Sequence, residues 1–177
     1  VRKLKNEELG RPGLEEFRKQ PKLPLAIVLD NVRSMNNVGS VFRTADAFSV
    51  EEIWLCGITG QPPHREIEKT ALGATRSVRW QYARDIHEAL NALQEENYLL
   101  IAIEQAEQSL PLNEFRPLAT EKYAFIFGNE VNGVSDEAMA RAGDCIEIPQ
   151  FGTKHSLNIA VSAGILVWDY YLKRFYS

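Results

Sequence analysis

The stretch Leu25-Ala26-Ile27-Val28-Leu29-Asp30-Asn31-Val32-Arg33-Ser34-Met35-Asn36-Asn37-Val38-Gly39-Ser40-Val41-Phe42-Arg43-Thr44-Ala45-Asp46 decides the fold class. Its first five residues are an unbroken apolar run, as expected of a strand buried on both faces. Val38, Val41, Phe42, Ala45 and Phe48 then recur at helical spacing. Working outward, Glu52–Cys56, Val78–Tyr82, Tyr98–Ile103, Tyr123–Phe127 and Cys145–Ile148 read as further strands. Pro63–Leu72, Asp85–Leu93, Ser135–Ala142 and Leu157–Lys173 read as the helices between and after them. Pro63 suits a first helical turn, and Asp85 with Glu88 has the spacing of a capping box. Strands that alternate with helices and are apolar on both faces predict an α/β fold, a mostly parallel sheet with helices on both faces.

Bulk properties bound the rest. A chain of 177 residues, 45% hydrophobic and 25% charged, suits one domain with a sizeable core. Residues 1–23 read as a basic N-terminal arm with a short helix over Leu14–Lys19, and residues 24–177 as the domain proper. No apolar run is long enough for a membrane span, so no membrane partner is expected. Cys56 and Cys145 stand far apart and read as reduced thiols of a cytoplasmic protein. Three histidines without ligand spacing predict no metal. The net charge of −4 opposes indiscriminate nucleic-acid binding. Local basic surface remains at Arg2, Lys3, Lys5, Arg11, Arg18, Lys19 and Lys22, and at Arg65, Lys69, Arg76 and Arg79.

Three loops of unusual composition each leave a predicted strand at its carboxyl end, where ligands of open α/β sheets bind. In the first, Asn37 can cap the following helix, and Gly39 allows a ligand or backbone to come close. Arg43 lies beside the apolar stripe, where a charge usually needs an anionic partner. The second is Phe127-Gly128-Asn129-Glu130-Val131-Asn132-Gly133-Val134-Ser135, a lone carboxylate between two glycines. It is neither G-x-G-x-x-G nor a Walker loop. The third is Ile148-Pro149-Gln150-Phe151-Gly152-Thr153-Lys154-His155-Ser156-Leu157-Asn158, in which Ser156 or Asn158 can cap the final helix. His155 beside Ser156 suggests a hydrolase, but neighbouring side chains on an extended segment point apart and no G-x-S-x-G elbow exists. Each loop alone also fits an ordinary turn or cap.

Together and in this order, the loops resemble the motifs of the SpoU/TrmH family, the ribose-methylating branch of the SPOUT RNA methyltransferases. The first resembles N-x-G-x-x-x-R-T-A through Asn37, Gly39, Arg43, Thr44 and Ala45. The second resembles F-G-x-E-x-x-G through Phe127, Gly128, Glu130 and Gly133. The third resembles I-P-x(6)-S-L-N through Ile148, Pro149, Ser156, Leu157 and Asn158. The resemblance, from Leu25 to Trp168, implies a C-terminal trefoil knot, a homodimer with a shared active site, S-adenosyl-L-methionine as cofactor, and structured RNA, tRNA before rRNA, as substrate. It implies Arg43, Asn37, Glu130, Ser156 and Asn158 as the catalytic set. Gly128, Ile148, Leu157 and Ser156 are implied to bind the cofactor, with Glu104 on the same rim. Alternatives from other classes are a non-catalytic RNA-binding homologue and a Rossmann-type nucleotide-binding enzyme. The latter lacks its glycine fingerprint after the first strand.

Overall fold

In the computed structural model, which describes residues 1–176, the opening apolar run becomes β1 (Leu23–Asp30). The other strands are β2 (Val50–Cys56), β3 (Arg79–Ala83), β4 (Tyr98–Ile103), β5 (Leu110–Pro111), β6 (Lys122–Phe127) and β7 (Asp144–Glu147). They form one sheet in the order β3-β2-β1-β6-β4-β7-β5, and every strand pairing among the described residues is parallel. β1 is flanked by β2 and β6, so both its edges are paired. Leu25, Ile27 and Leu29 enter one core layer, and Ala26 and Val28 enter the other. All five are fully buried, which is why the sequence there runs apolar without alternation.

Helices cover both faces. α2 (Met35–Ala47), α3 (Arg65–Ala71) and α6 (Ile159–Tyr176) bury Val38, Phe42, Ala45, Ile67 and Leu166 against the Ile27 side. α4 (Ile86–Glu95) and α5 (Asp136–Arg141) bury Leu90, Leu93 and Ala138 against the Val28 side. Tyr170 of α6 is fully buried, and its hydroxyl donates to the Pro24 carbonyl at 3.2 Å. Burial pushes that phenol up to about 12. Gly39 is where α2 and α3 touch: a Cβ there would lie 2.2 Å from the Ile67 carbonyl oxygen and 2.1 Å from Thr70 Oγ1. The close approach that this glycine permits is thus to a neighbouring helix. In the amino-terminal segment, α1 (Leu14–Lys19) buries Phe17, and Arg18 donates to the Arg76 carbonyl at 2.6 Å.

Several expected boundaries move for physical reasons. The helix expected from Pro63 starts at Arg65, because His64 Nδ1 accepts the Glu66 N–H at 3.3 Å and serves as the cap. The final helix starts at Ile159 rather than Leu157: Asn158 Oδ1 accepts the Ala160 N–H at 2.9 Å. The strand expected over Cys145–Ile148 ends at Glu147. Asn37 does not cap α2. Ser34 does, accepting the Asn37 N–H at 3.2 Å, and Asn37 lies inside the first turn with its side chain free for other partners. β5 has no counterpart in the sequence reading. It is two residues long at the sheet edge, where a proline without an N–H is tolerated.

Candidate active site

The loops leaving β1 and β6 are laced together by polar groups. Asp30, almost fully buried, accepts the Ser135 N–H at 2.9 Å. Asn129 Nδ2 donates to the Asn31 carbonyl at 2.7 Å. Glu130 accepts the backbone N–H groups of Arg33 and Ser34, both at 2.9 Å, and the Asn37 amide at 3.4 Å. The carboxylate therefore sits at the amino end of α2, where free N–H groups and the helix dipole favour negative charge. Burial pushes Glu130 up, but these hydrogen bonds outweigh it and hold the carboxyl below the usual glutamate value. The third loop joins through Asn158, whose Nδ2 donates to Asn37 Oδ1 at 3.1 Å. Asn37 is thereby the link between Glu130 and Asn158, residues 93 and 121 positions away.

Beside this lacing lies a cavity of about 550 Å³ at the carboxyl ends of β4, β6 and β7. Gly128, Glu130, Ile148, Ser156, Leu157, Asn158 and Glu104 all line it. Apolar walls come from Ile103, Phe127 and Ile146, so a flat ring can be held by aliphatic groups while main-chain groups read its edge. The floor is main chain on main chain: a Cβ on Gly128 would stand 2.0 Å from Gly133 C and Val134 N. Gly133 has φ +71° and a Cβ there would lie 2.2 Å from Glu104 Oε2, so both glycines are sterically required. Glu104 accepts the Val134 N–H at 3.1 Å and the Gln105 N–H at 2.9 Å, bracing the loop as well as lining the wall.

Arg43 is placed elsewhere. It lies six residues beyond Asn37, about 9 Å along α2 and about 120° around it. With Lys69, Thr70 and Phe48 it lines a second depression of about 500 Å³. The anionic partner expected from sequence is absent among the described residues: Arg43 is exposed and makes no ion pair or side-chain hydrogen bond there. The physical reason is angular. Val38, Val41, Phe42 and Ala45 span the buried arc, and Arg43 lies about 100° beyond its edge at Phe42, where solvent satisfies the guanidinium.

Sequence reasoning missed Asp30, Asn129 and Gln105. Asp30 left a signal, a carboxylate closing a fully apolar run, which must find donors once buried. Gln105, donating to the His155 carbonyl at 2.7 Å, left none. Both thiols are free, and burial pushes Cys56 far above its ordinary range, so neither thiol suggests a nucleophile. No group of three His, Cys, Asp or Glu able to hold a metal occurs among the described residues.

A fully parallel seven-stranded sheet with a cofactor-sized cavity at its carboxyl edge and a polar lip assembled from three loops defines an α/β ligand-binding domain. Comparison with known proteins makes this specific. The chain belongs to the SpoU rRNA methylase family, whose model matches residues 24–168. The tRNA (guanosine(18)-2′-O)-methyltransferase of Thermus thermophilus is 33% identical over 166 residues, covering 92% of this chain and 81% of that one. A 23S rRNA (guanosine-2′-O-)-methyltransferase of Neisseria meningitidis is 26% identical, and the match covers 56% of its length. Among solved structures, a TrmH/SpoU tRNA modifying enzyme of A. aeolicus superposes with TM-score 0.79 at 25% identity, over 91% of this chain and 82% of that one. An AdoMet-bound rRNA methyltransferase of Sinorhizobium meliloti gives 0.79 at 25% identity, over 91% of this chain and 61% of that one.

Proposed function

We propose that this protein transfers the methyl group of S-adenosylmethionine to a ribose 2′-hydroxyl of RNA, with tRNA the preferred substrate. The carrying observation is that the cavity shares its wall with Glu130 and Asn158, both tied to Asn37. Support comes from the relatives' named activities on tRNA and rRNA and from the AdoMet-bound neighbour.

The cavity fits such a cofactor: its volume lies in the range of small-molecule sites, roughly 300–1,000 Å³. Gly128, Ile148 and Leu157 would hold the adenosyl part, Ser156 would lend a hydroxyl, and Glu104 would add negative charge on the same wall. When bound, S-adenosylmethionine supplies an electrophilic methyl on a positively charged sulfur. The chain's own work is then to position the ribose, and correct orientation contributes ~7–11 kcal/mol. Asn37 and Asn158 orient the hydroxyl from the lip. Glu130, held ionised by its backbone donors, fixes the lip and is too weak a base to take the proton. The Arg43 guanidinium is a planar fork of donors without an acceptor, so it anchors an RNA phosphate and steadies the developing oxyanion.

Arg43 reaches a cavity by pairing of two chains. Val161, Ile165, Trp168, Leu172 and Phe175 follow at steps of four and three along α6 and are 36–57% exposed, a single apolar stripe that wants a partner. Phe48, just past the end of α2, joins it through Trp168, with ring centroids 5.7 Å apart. A homodimer built on this stripe would present Arg43 to the partner's cavity. The reading also includes a trefoil knot formed by the segment after β7 and a cytoplasmic location.

The test is methyl transfer from labelled S-adenosylmethionine into total RNA from cells lacking the protein. Label recovered as 2′-O-methylnucleosides is expected. Label on a base, or none, overturns the reading.

A further inference from the structure

The loop between β7 and α6 is pinned at both ends. On one side Ile148 packs against the hydrophobic core and, with Gln150, lines the cavity. On the other, the His155 carbonyl accepts Gln105 Nε2 at 2.7 Å and Asn158 bonds Asn37 at 3.1 Å. Between the pins, residues 151–154 make no hydrogen bond or ion pair among the described residues, and all are exposed. Phe151 at this tip is 97% exposed, more than any other aromatic side chain described. Val131, on the neighbouring loop and in the cavity wall, is 76% exposed. A phenyl ring so placed contributes nothing to the core, and a loop tip has many polar residues that would serve a turn better.

We propose that Phe151 is the stacking platform for a nucleobase of the RNA, beside the ribose presented to the cavity, with Val131 a second apolar contact. The inference rests on the methyltransferase reading above. RNA is read sequence-specifically where bases are unstacked and splayed onto aromatic side chains, and any base offers a flat face to such a ring. Lys154, three residues along the same tip, supplies the cation that a neighbouring phosphate needs. The cavity wall itself carries Glu104, Glu130 and Glu147, which repel phosphate, so attachment through a base suits this rim better than attachment through the backbone.

The experiment is steady-state methylation of total RNA from cells lacking the protein, by wild type, Phe151→Ala and Phe151→Tyr. Phe151→Ala is expected to raise the apparent KM for RNA roughly tenfold. Its KM for S-adenosylmethionine, melting temperature and subunit mass stay unchanged. Phe151→Tyr keeps the platform and stays within about twofold of wild type. An unchanged KM for RNA in Phe151→Ala overturns this inference and leaves the methyltransferase reading intact. A raised KM for S-adenosylmethionine, or an altered subunit mass, also overturns it, because the ring would then cover the cofactor or contact another subunit. Failure of the wild type to methylate any RNA overturns the function itself.

Discussion

Glu130→Gln isolates what the charge at the start of α2 contributes. The carboxylate accepts two backbone N–H groups at 2.9 Å and one amide at 3.4 Å. Hydrogen bonds to a charged acceptor contribute ~1.5–3 kcal/mol each when shielded from water, but Glu130 is exposed, and screening brings each nearer ~1 kcal/mol. Glutamine keeps one acceptor oxygen and turns an NH₂ toward the other backbone donor. A net loss of ~1–2 kcal/mol follows. At ~2–4 °C per kcal/mol for a chain of this size, the melting temperature falls by ~2–8 °C. The sign with pH is fixed by the lowered carboxyl: its stabilisation is full above the ordinary value of 4.5 and is lost as pH falls through the folded-state value. Thermal melts of both proteins from pH 7 down to about pH 3 should therefore converge on the acid side. Turnover should fall in parallel, since Asn37 loses a partner, while the KM for S-adenosylmethionine holds. Equal melting temperatures at pH 7, or a gap that persists unchanged in acid, would refute the reasoning.

Arg43→Lys keeps the charge and loses the two-pronged donor, so kcat should drop ~100-fold in initial-rate assays; near-normal turnover contradicts a bidentate role. Mixing Arg43→Ala with Asn158→Ala chains should restore about one quarter of wild-type activity, because half the dimers then hold one intact shared site; no recovery on mixing argues that each chain uses its own arginine. Ile165→Glu with Trp168→Glu places two charges in the α6 stripe, and light scattering should show monomers with little methyl transfer; an undisturbed dimer moves the interface elsewhere. Gly128→Ala forces a Cβ to within 2.0 Å of the Gly133–Val134 backbone, so a stability loss of ~1–3 kcal/mol and a weakened thermal shift with S-adenosylmethionine are expected; a normal shift means the loop has other room.

Composition and pattern located every strand but the two-residue β5 to within a few residues, because burial on both faces of a parallel sheet leaves an unbroken apolar run at β1, β4 and β6. The order of those strands was not legible: β6 lies between β1 and β4, and nothing local to Tyr123–Phe127 says so. Cap identity was misread at α2 because serine and asparagine are both good caps, and only the backbone shows that Ser34 comes first. The cavity residues were legible as a family pattern, not as geometry. Arg43 shows the difference: six residues on a helix already turn it away from Asn37, but the motif did not say that it lines a different depression.

The link between Asn37 and Asn158 has a consequence for synthesis. A nascent chain exposes its first site residue early, yet Asn37 finds its amide partner only after 121 further residues have been added. Tyr170 reaches back still further, to Pro24. Competence therefore arrives with the last helix and not gradually, so a ribosome stalled before α6 would release a sheet with an unfinished rim. Translation thus sets the moment at which the molecule becomes able to work.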